Sequence, residues 1–210
     1  MIMDEIEIWK ILFPAITGFL GIVLGIIINI ISNWKLKIKE TKLRLVEKIF
    51  DKRIKAHEEI LLLSKLMRST VSTEKVDENN NLISYPGLIQ DKKTFENFQE
   101  RFYELTNFNT HWLDIEICRE INFIQDYIAT LKLKIQRKNE NDYPQIGIII
   151  KPDFTKLAHD LEELVLKFFD QDILKLKLKS EKGYHKFERE ITETRLLNTE
   201  LIKKENEINK

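Results

Sequence analysis

The chain has 210 residues, with 34 basic side chains balanced by 34 acidic ones, so no strongly basic surface advertises nucleic acid as a partner. A single cysteine, Cys118, excludes an intramolecular disulfide and a thiolate zinc cluster. Six glycines, three of them inside one apolar run, leave no glycine-rich phosphate loop, and the composition implies no cofactor.

The N-terminal ten residues, MIMDEIEIWK, set Asp4, Glu5 and Glu7 against Lys10. Residues 11–31, ILFPAITGFLGIVLGIIINII, then carry no charge. At about 1.5 Å per residue a helix of that length spans roughly 31 Å, close to the thickness of a bilayer's hydrocarbon core. Trp9 and Trp34 bracket it, where amphipathic rings favour the two membrane interfaces. The stretch predicts a transmembrane helix in contact with membrane lipid. Lys35, Lys37, Lys39, Lys42 and Arg44 follow at once, and an excess of Lys and Arg marks the cytoplasmic flank. The expected topology is a single pass of the plasma (inner) membrane, with residues 1–10 outside and the rest inside. The acidic start, the long apolar core and a poor cleavage site argue against a signal peptide.

Within the span, Pro14, Gly18, Gly21, Gly25, Asn29 and Ser32 recur at spacings of four, three, four, four and three, which places them along one helix face. Membrane helices associate through small residues that let backbones approach, and a polar side chain on the same stripe can hydrogen-bond across. Gly18, Gly21, Gly25 and Asn29 are therefore the expected interface, for a homo-oligomer or a partner transmembrane helix. Pro14 is read as lying near the first turn, where a missing N–H costs little.

No proline or glycine occurs between Gly25 and Pro86, so the helix is expected to continue through residues 32–68 as one rod. Its inner stripe is read as Ile38, Leu43, Val46, Phe50, Ile54 and Leu61 with their apolar neighbours. If the spans associate, the first part of the rod suits a parallel coiled coil. Residues 69–92 are polar and contain Asn79–Asn81 and Pro86-Gly87, which predicts a loop.

Residues 93–210 are expected to form an antiparallel helical bundle packed on that rod, giving an all-α fold. Phe95, Phe98, Phe102 and Leu105 mark a helix over 94–106. Leu113, Ile117, Ile121, Ile124, Ile128, Leu131 and Ile135 mark the best-patterned one over 110–137, with Asp114, Glu120, Asp126 and Lys132 opposite. Pro144 and Pro152 read as stops, and 146–150 as a strand able to pair with 82–85 in a minor two-stranded ribbon. Asp153 or Thr155 reads as the cap of a helix carrying Phe154, Leu157, Leu161, Leu164 and Phe168. Gly183 precedes a last helix over about 184–205, with Tyr184, Phe187, Ile191, Leu197 and Leu201 inward and a frayed end, KKENEINK.

Motifs for chemistry are sparse. His57-Glu58-Glu59 lacks the second histidine of a zinc helix, because Leu61 stands in its place, and reads as a solvated face. His159-Asp160 resembles the adjacent His-Asp pair of helical metal-dependent phosphohydrolases. That resemblance implies a further histidine and aspartate from other helices, roles for which His111 and Asp170 or Asp172 are available. The Arg-x4-His motif of HEPN-type ribonucleases is missing, since Arg53 reaches His57 one residue early. Cys118 lies in an apolar stretch and reads as buried rather than nucleophilic. Two lysine-alternating stretches, 132–138 and 175–179, read as solvated helix ends, with anionic lipid or nucleic acid as the functional alternative. Heavy use of Ile, Lys, Asn and Glu fits an AT-rich bacterial genome.

The expected protein is thus a non-enzymatic, single-pass membrane chain whose cytosolic bundle binds another protein. The alternatives are a membrane-disrupting effector of a bacterial defence or toxin system and, on His159 and Asp160 alone, a membrane-tethered hydrolase.

Overall fold

A computed structural model describes residues 5–76, 78, 80–136, 138–170 and 185–208. Helix makes up 83% of it, in seven helices among the described residues, with one small antiparallel sheet. The chain divides into two units, Met1–Asp51 and Lys52–Lys210.

The first unit is helix alone, the larger part of α1 (Glu5–Arg68), which runs for 64 residues without interruption. Its apolar side chains from Leu12 to Ile31 face outward on every side, and the helix is long and apolar enough to cross a membrane. Because α1 starts at Glu5, Pro14 lies inside it rather than in its first turn. The proline cannot donate to the carbonyl four residues back. One turn on, the Thr17 hydroxyl lies 2.9 Å from the Phe13 carbonyl and 3.0 Å from that of Pro14 and donates into this part of the ladder.

The second unit holds the core. Over its last turns α1 buries Ala56, His57, Ile60, Leu63, Ser64 and Met67. The expected stripe through Ile54 and Leu61 is rotated from this face, and both residues are only half-buried. Apolar pattern alone misplaces the stripe, because the inward face includes a serine, an alanine and a histidine.

At Ser69 the chain leaves the helix and enters a hairpin, β1 (Thr70–Val76) and β2 (Leu82–Pro86); β2 matches the strand expected at 82–85, and β1 lies where a loop is expected. The strands pair antiparallel, Thr70 with Pro86 and Ser72 with Ser84, and the register slips between Ser72 and Val76. Asn80 takes a positive φ of 64° in the connection, a conformation asparagine tolerates.

The ribbon does not use residues 146–150, which lie within α4 (Tyr143–Phe168). β2 packs on that helix, so the two segments are neighbours in space but not strand partners. Gly147 permits the approach: a Cβ there would come within 3.0 Å of the Tyr85 side chain. Ile146, Ile149 and Ile150 all point inward. Their spacing of three and one is helical, and buried β-branched residues mimic a strand only over so short a window. Neither proline is a stop. Pro144 sits in the first turn of α4, where its fixed φ suits a helix start, and Pro152 lies inside the helix.

Helix α2 (Lys92–Asn109) starts at Asp91, whose carboxylate accepts from the Thr94 N–H and hydroxyl, and these bonds hold its pKa below the ordinary value. It buries Phe95, Phe98 and Phe102 as expected, with Leu105 half-buried. In α3 (Ile115–Ile135), preceded by a 3-10 turn at Thr110–Trp112, the full apolar stripe from Leu113 to Ile135 is inside. The last expected helix is three short ones, α5 (Arg189–Leu197), α6 (Glu200–Lys203) and α7 (Glu205–Ile208). Ile191 and Leu197 face outward and Leu201 inward, while Tyr184 and Gly183 lie outside the described residues. Ile208, placed in a frayed end by the sequence, is 2% exposed and part of the core.

Candidate functional site

Four groups of residues can carry function: one face of the first unit, the expected His-Asp pair, polar clusters buried in the second unit, and an open groove on α2.

On α1, Gly18, Gly21 and Gly25 lie along one stripe, and a Cβ added at any of them would meet nothing within 4 Å. The stripe is open. Below it the Asn33 amide donates to Asn29 Oδ1 at 2.9 Å, so two carboxamides share that end of the span. Lys35, Lys37, Lys39, Lys42 and Arg44 are all exposed on the next turns.

His159 is exposed on α4, and Asp160 beside it is half-buried. The Asp160 carboxylate faces Arg195 at 3.7 Å, an occupation that a metal-ligand reading did not include. His111 is exposed in the 3-10 turn and Asp170 is exposed just past α4, while Asp172 lies outside the described residues. Among the described residues no three His, Cys, Asp or Glu side chains gather as a metal cage would require.

Burial of charge and polarity is where the sequence reading falls short. His57, read as solvated, is fully buried. Its ring stacks on Phe168 with centroids 3.5 Å apart, Nδ1–H donates to the Arg53 carbonyl at 2.7 Å, and Nε2 stands 4.0 Å from Asp114. Arg53 completes this cluster by pairing with Asp114 and lying over the Phe168 ring. Glu120, read as the outer face of α3, is buried and accepts from both terminal guanidinium nitrogens of Arg195, Nη2 at 2.7 Å and Nη1 at 2.8 Å. The same guanidinium lies 3.8 Å above the Phe123 ring.

Asp153 does not cap its own helix. It lies inside α4, buried, and accepts from Tyr127 Oη–H at 3.0 Å and from the N–H groups of Glu200 and Leu201 at 2.8 and 2.9 Å. It thereby caps α6 from another element. Burial pushes its pKa above the ordinary value against the pull of these three donors, and burial likewise raises Tyr127. The only signal for this role was an aspartate in a helical pattern with no exposed position to occupy. Cys118 is buried as expected, its thiol pushed up to about 11 by desolvation, so little thiolate is present at neutral pH.

The outer face of α2 forms an open groove of about 900 Å³ lined by Glu96, Glu100, Glu104, Tyr103, Phe108 and Lys132. Phe108 is 78% exposed there, and Lys132 is tied to Gln99 at 2.9 Å. Lys134 pairs with Glu205, so this lysine of the alternating stretch serves the fold. Residues 175–179 lie outside the described residues.

Fold and clusters together define a mainly helical chain with one helix long and apolar enough to span a bilayer and a second unit that holds a core. No family model, curated protein or solved structure matches it.

Proposed function

We propose that the chain is a single-pass protein of the bacterial plasma membrane, with its N-terminus outside and residues 32–210 in the cytosol. The observation that carries this reading is the uncharged 21-residue stretch, which is helical and whose apolar side chains from Leu12 to Ile31 face outward all round. A soluble protein would bury such a surface. The run of basic residues from Lys35 to Arg44, against the acidic N-terminal ten, supports the orientation. In this reading the open glycine stripe joins membrane helices, and the bundle engages a cytosolic protein. The acid-lined groove on α2 with its exposed phenyl ring suits a basic segment of such a partner.

Fractionation and a pair of C-terminal reporters test the proposal. The full-length chain is expected to stay with membranes through an alkaline wash. A reporter that matures only in the cytosol is expected to be active at the C-terminus, and an export-dependent phosphatase to be silent there. Release by the alkaline wash overturns the membrane reading, and an active phosphatase overturns the orientation.

A further inference from the structure

We infer that a second copy of this chain lies parallel and in register along α1, on one heptad seam that runs from Gly18 to Phe50. This rests on the membrane reading and names the partner of the open helix face.

The seam follows from the spacing. Setting Leu36 as an a position makes Ile22, Asn29, Leu43 and Phe50 the other a positions. The d positions are then Gly18, Gly25, Ser32, Lys39 and Val46. Gly18, Gly25, Asn29 and Ser32 and the apolar residues beyond them therefore belong to a single register, with Gly21 beside the seam at a g position. Small side chains dominate d inside the span, where close backbone approach is the source of affinity. Larger apolar ones take over past it, where burial from water is. Lys39 is the one charged side chain on the seam, and its long stem can lie along it with the ammonium in water.

Two further features choose the occupant. In a parallel pair each g residue faces the e residue five positions on in the other chain. Here those pairs are Lys35 with Glu40 and Lys42 with Glu47, opposite charges in both heptads. An antiparallel pair would set lysine against lysine and glutamate against glutamate. The second feature is Asn29, an asparagine at an a position, the type of residue that fixes register and parallel orientation in a dimeric seam. Its Oδ1 is oriented by Asn33, and its own amide N–H groups can reach Asn29 of the second copy.

The seam also has an end. On the same register His57, Ile60, Ser64 and Met67 are buried by the second unit. Leu36 and Leu43 are 57% and 61% exposed. A straight helix drifts by about 20° per heptad from this seam, so contact over its whole length requires a left-handed supercoil.

Cysteine crosslinking of the full-length chain in native membranes tests this. Cys118 stays in place, since its buried thiol gives a silent background. Single cysteines are introduced by Leu43→Cys and Val46→Cys on the seam, and by Lys48→Cys on the opposite face. Mild oxidation is expected to give disulfide dimers several-fold more efficiently at 43 and 46 than at 48. Glu40→Lys with Glu47→Lys is expected to reduce crosslinking at 46, and adding Lys35→Glu with Lys42→Glu to restore it.

Equal yields at 46 and 48, or no dimer from a chain that survives the alkaline wash, overturn the seam and leave the membrane reading standing. Indifference of the yield at 46 to charge reversal overturns the parallel register. Release of the chain by the wash overturns the membrane reading and this inference with it.

Discussion

Arg195 reaches from α5 to a carboxylate, Glu120, that is 3% exposed on α3, and it does so with both arms of its fork while its plane covers Phe123. A buried charge of this kind adds little net stability while it is paired, because desolvation consumes the Coulombic gain. Removing one member is different, since it strands the other. Arg195→Ala is expected to cost about 3 kcal/mol. Arg195→Lys should recover only part of that, because an ammonium supplies a point charge and not a bidentate fork. Glu120→Leu in the Arg195→Ala background should recover most of it, since no charge is then left buried. Urea unfolding of the detergent-solubilised full-length chain, followed by far-UV circular dichroism, measures all three. A double variant no better than Arg195→Ala would show that the pair contributes more than mutual neutralisation.

Among the elements, the short helices α5–α7 are too brief to hold together alone, for nucleation of an isolated helix is unfavourable. They persist because α3 and α4 supply what they lack: a counter-charge for Arg195, a cap for α6 and a core for Leu201 and Ile208. Asp153→Ala removes the cap and leaves two N–H groups and a tyrosine hydroxyl without their acceptor, which is expected to cost about 2 kcal/mol. The pH dependence has a definite sign. Asp153 holds its proton more tightly folded than unfolded, so wild-type stability falls as pH rises from the ordinary 3.8 through the raised value. Asp153→Ala has nothing to titrate there, so its deficit should shrink over that interval when urea midpoints are compared at successive pH values. A deficit that grows with pH would mean that the three donors outweigh burial. The same elements show what a sequence can and cannot disclose. The unbroken run of α1 to Arg68 and the apolar stripe from Leu113 to Ile135 follow from periodicity and the placement of proline and glycine, and both are found as expected, while the start of α1 at Glu5 is not. The strand reading of 146–150 fails because a window of five residues fits either period, and only the packing of Tyr85 on Gly147 decides between them. His57, Glu120 and Asp153 were legible as residues but not as a core, because each is made tolerable inside by a partner 26 or more positions away: Phe168 for the first, Arg195 for the second, Tyr127 for the third.

At the scale of the molecule, the two units respond to different physics, and substitutions should separate them. The second unit is held by ordinary burial from water, with Phe102 fully enclosed in α2 and in contact with the rings of Phe98 and Tyr103. Phe102→Ala removes that volume and is expected to cost about 4 kcal/mol, enough to leave a domain of this size marginal. Among the described residues the first unit buries no core of its own, and a Cβ added at Gly18, Gly21 or Gly25 would meet nothing within 4 Å. Gly21→Leu should therefore leave the unfolding of the second unit unchanged, because sites that share no partners act additively. If the glycine face meets another helix in the membrane, the same substitution should lower crosslinking at Val46→Cys, which Phe102→Ala does only by unfolding the bundle. Thermal unfolding monitored by tryptophan fluorescence, with Trp112 half-buried in the second unit, measures the first effect, and crosslinking yield in the same membranes measures the second. A Gly21→Leu chain whose bundle melts early would mean that the glycine face supports the second unit directly. One with normal melting and undiminished crosslinking would mean that the backbones do not approach at Gly21, and that the seam beyond the span holds the two copies by itself.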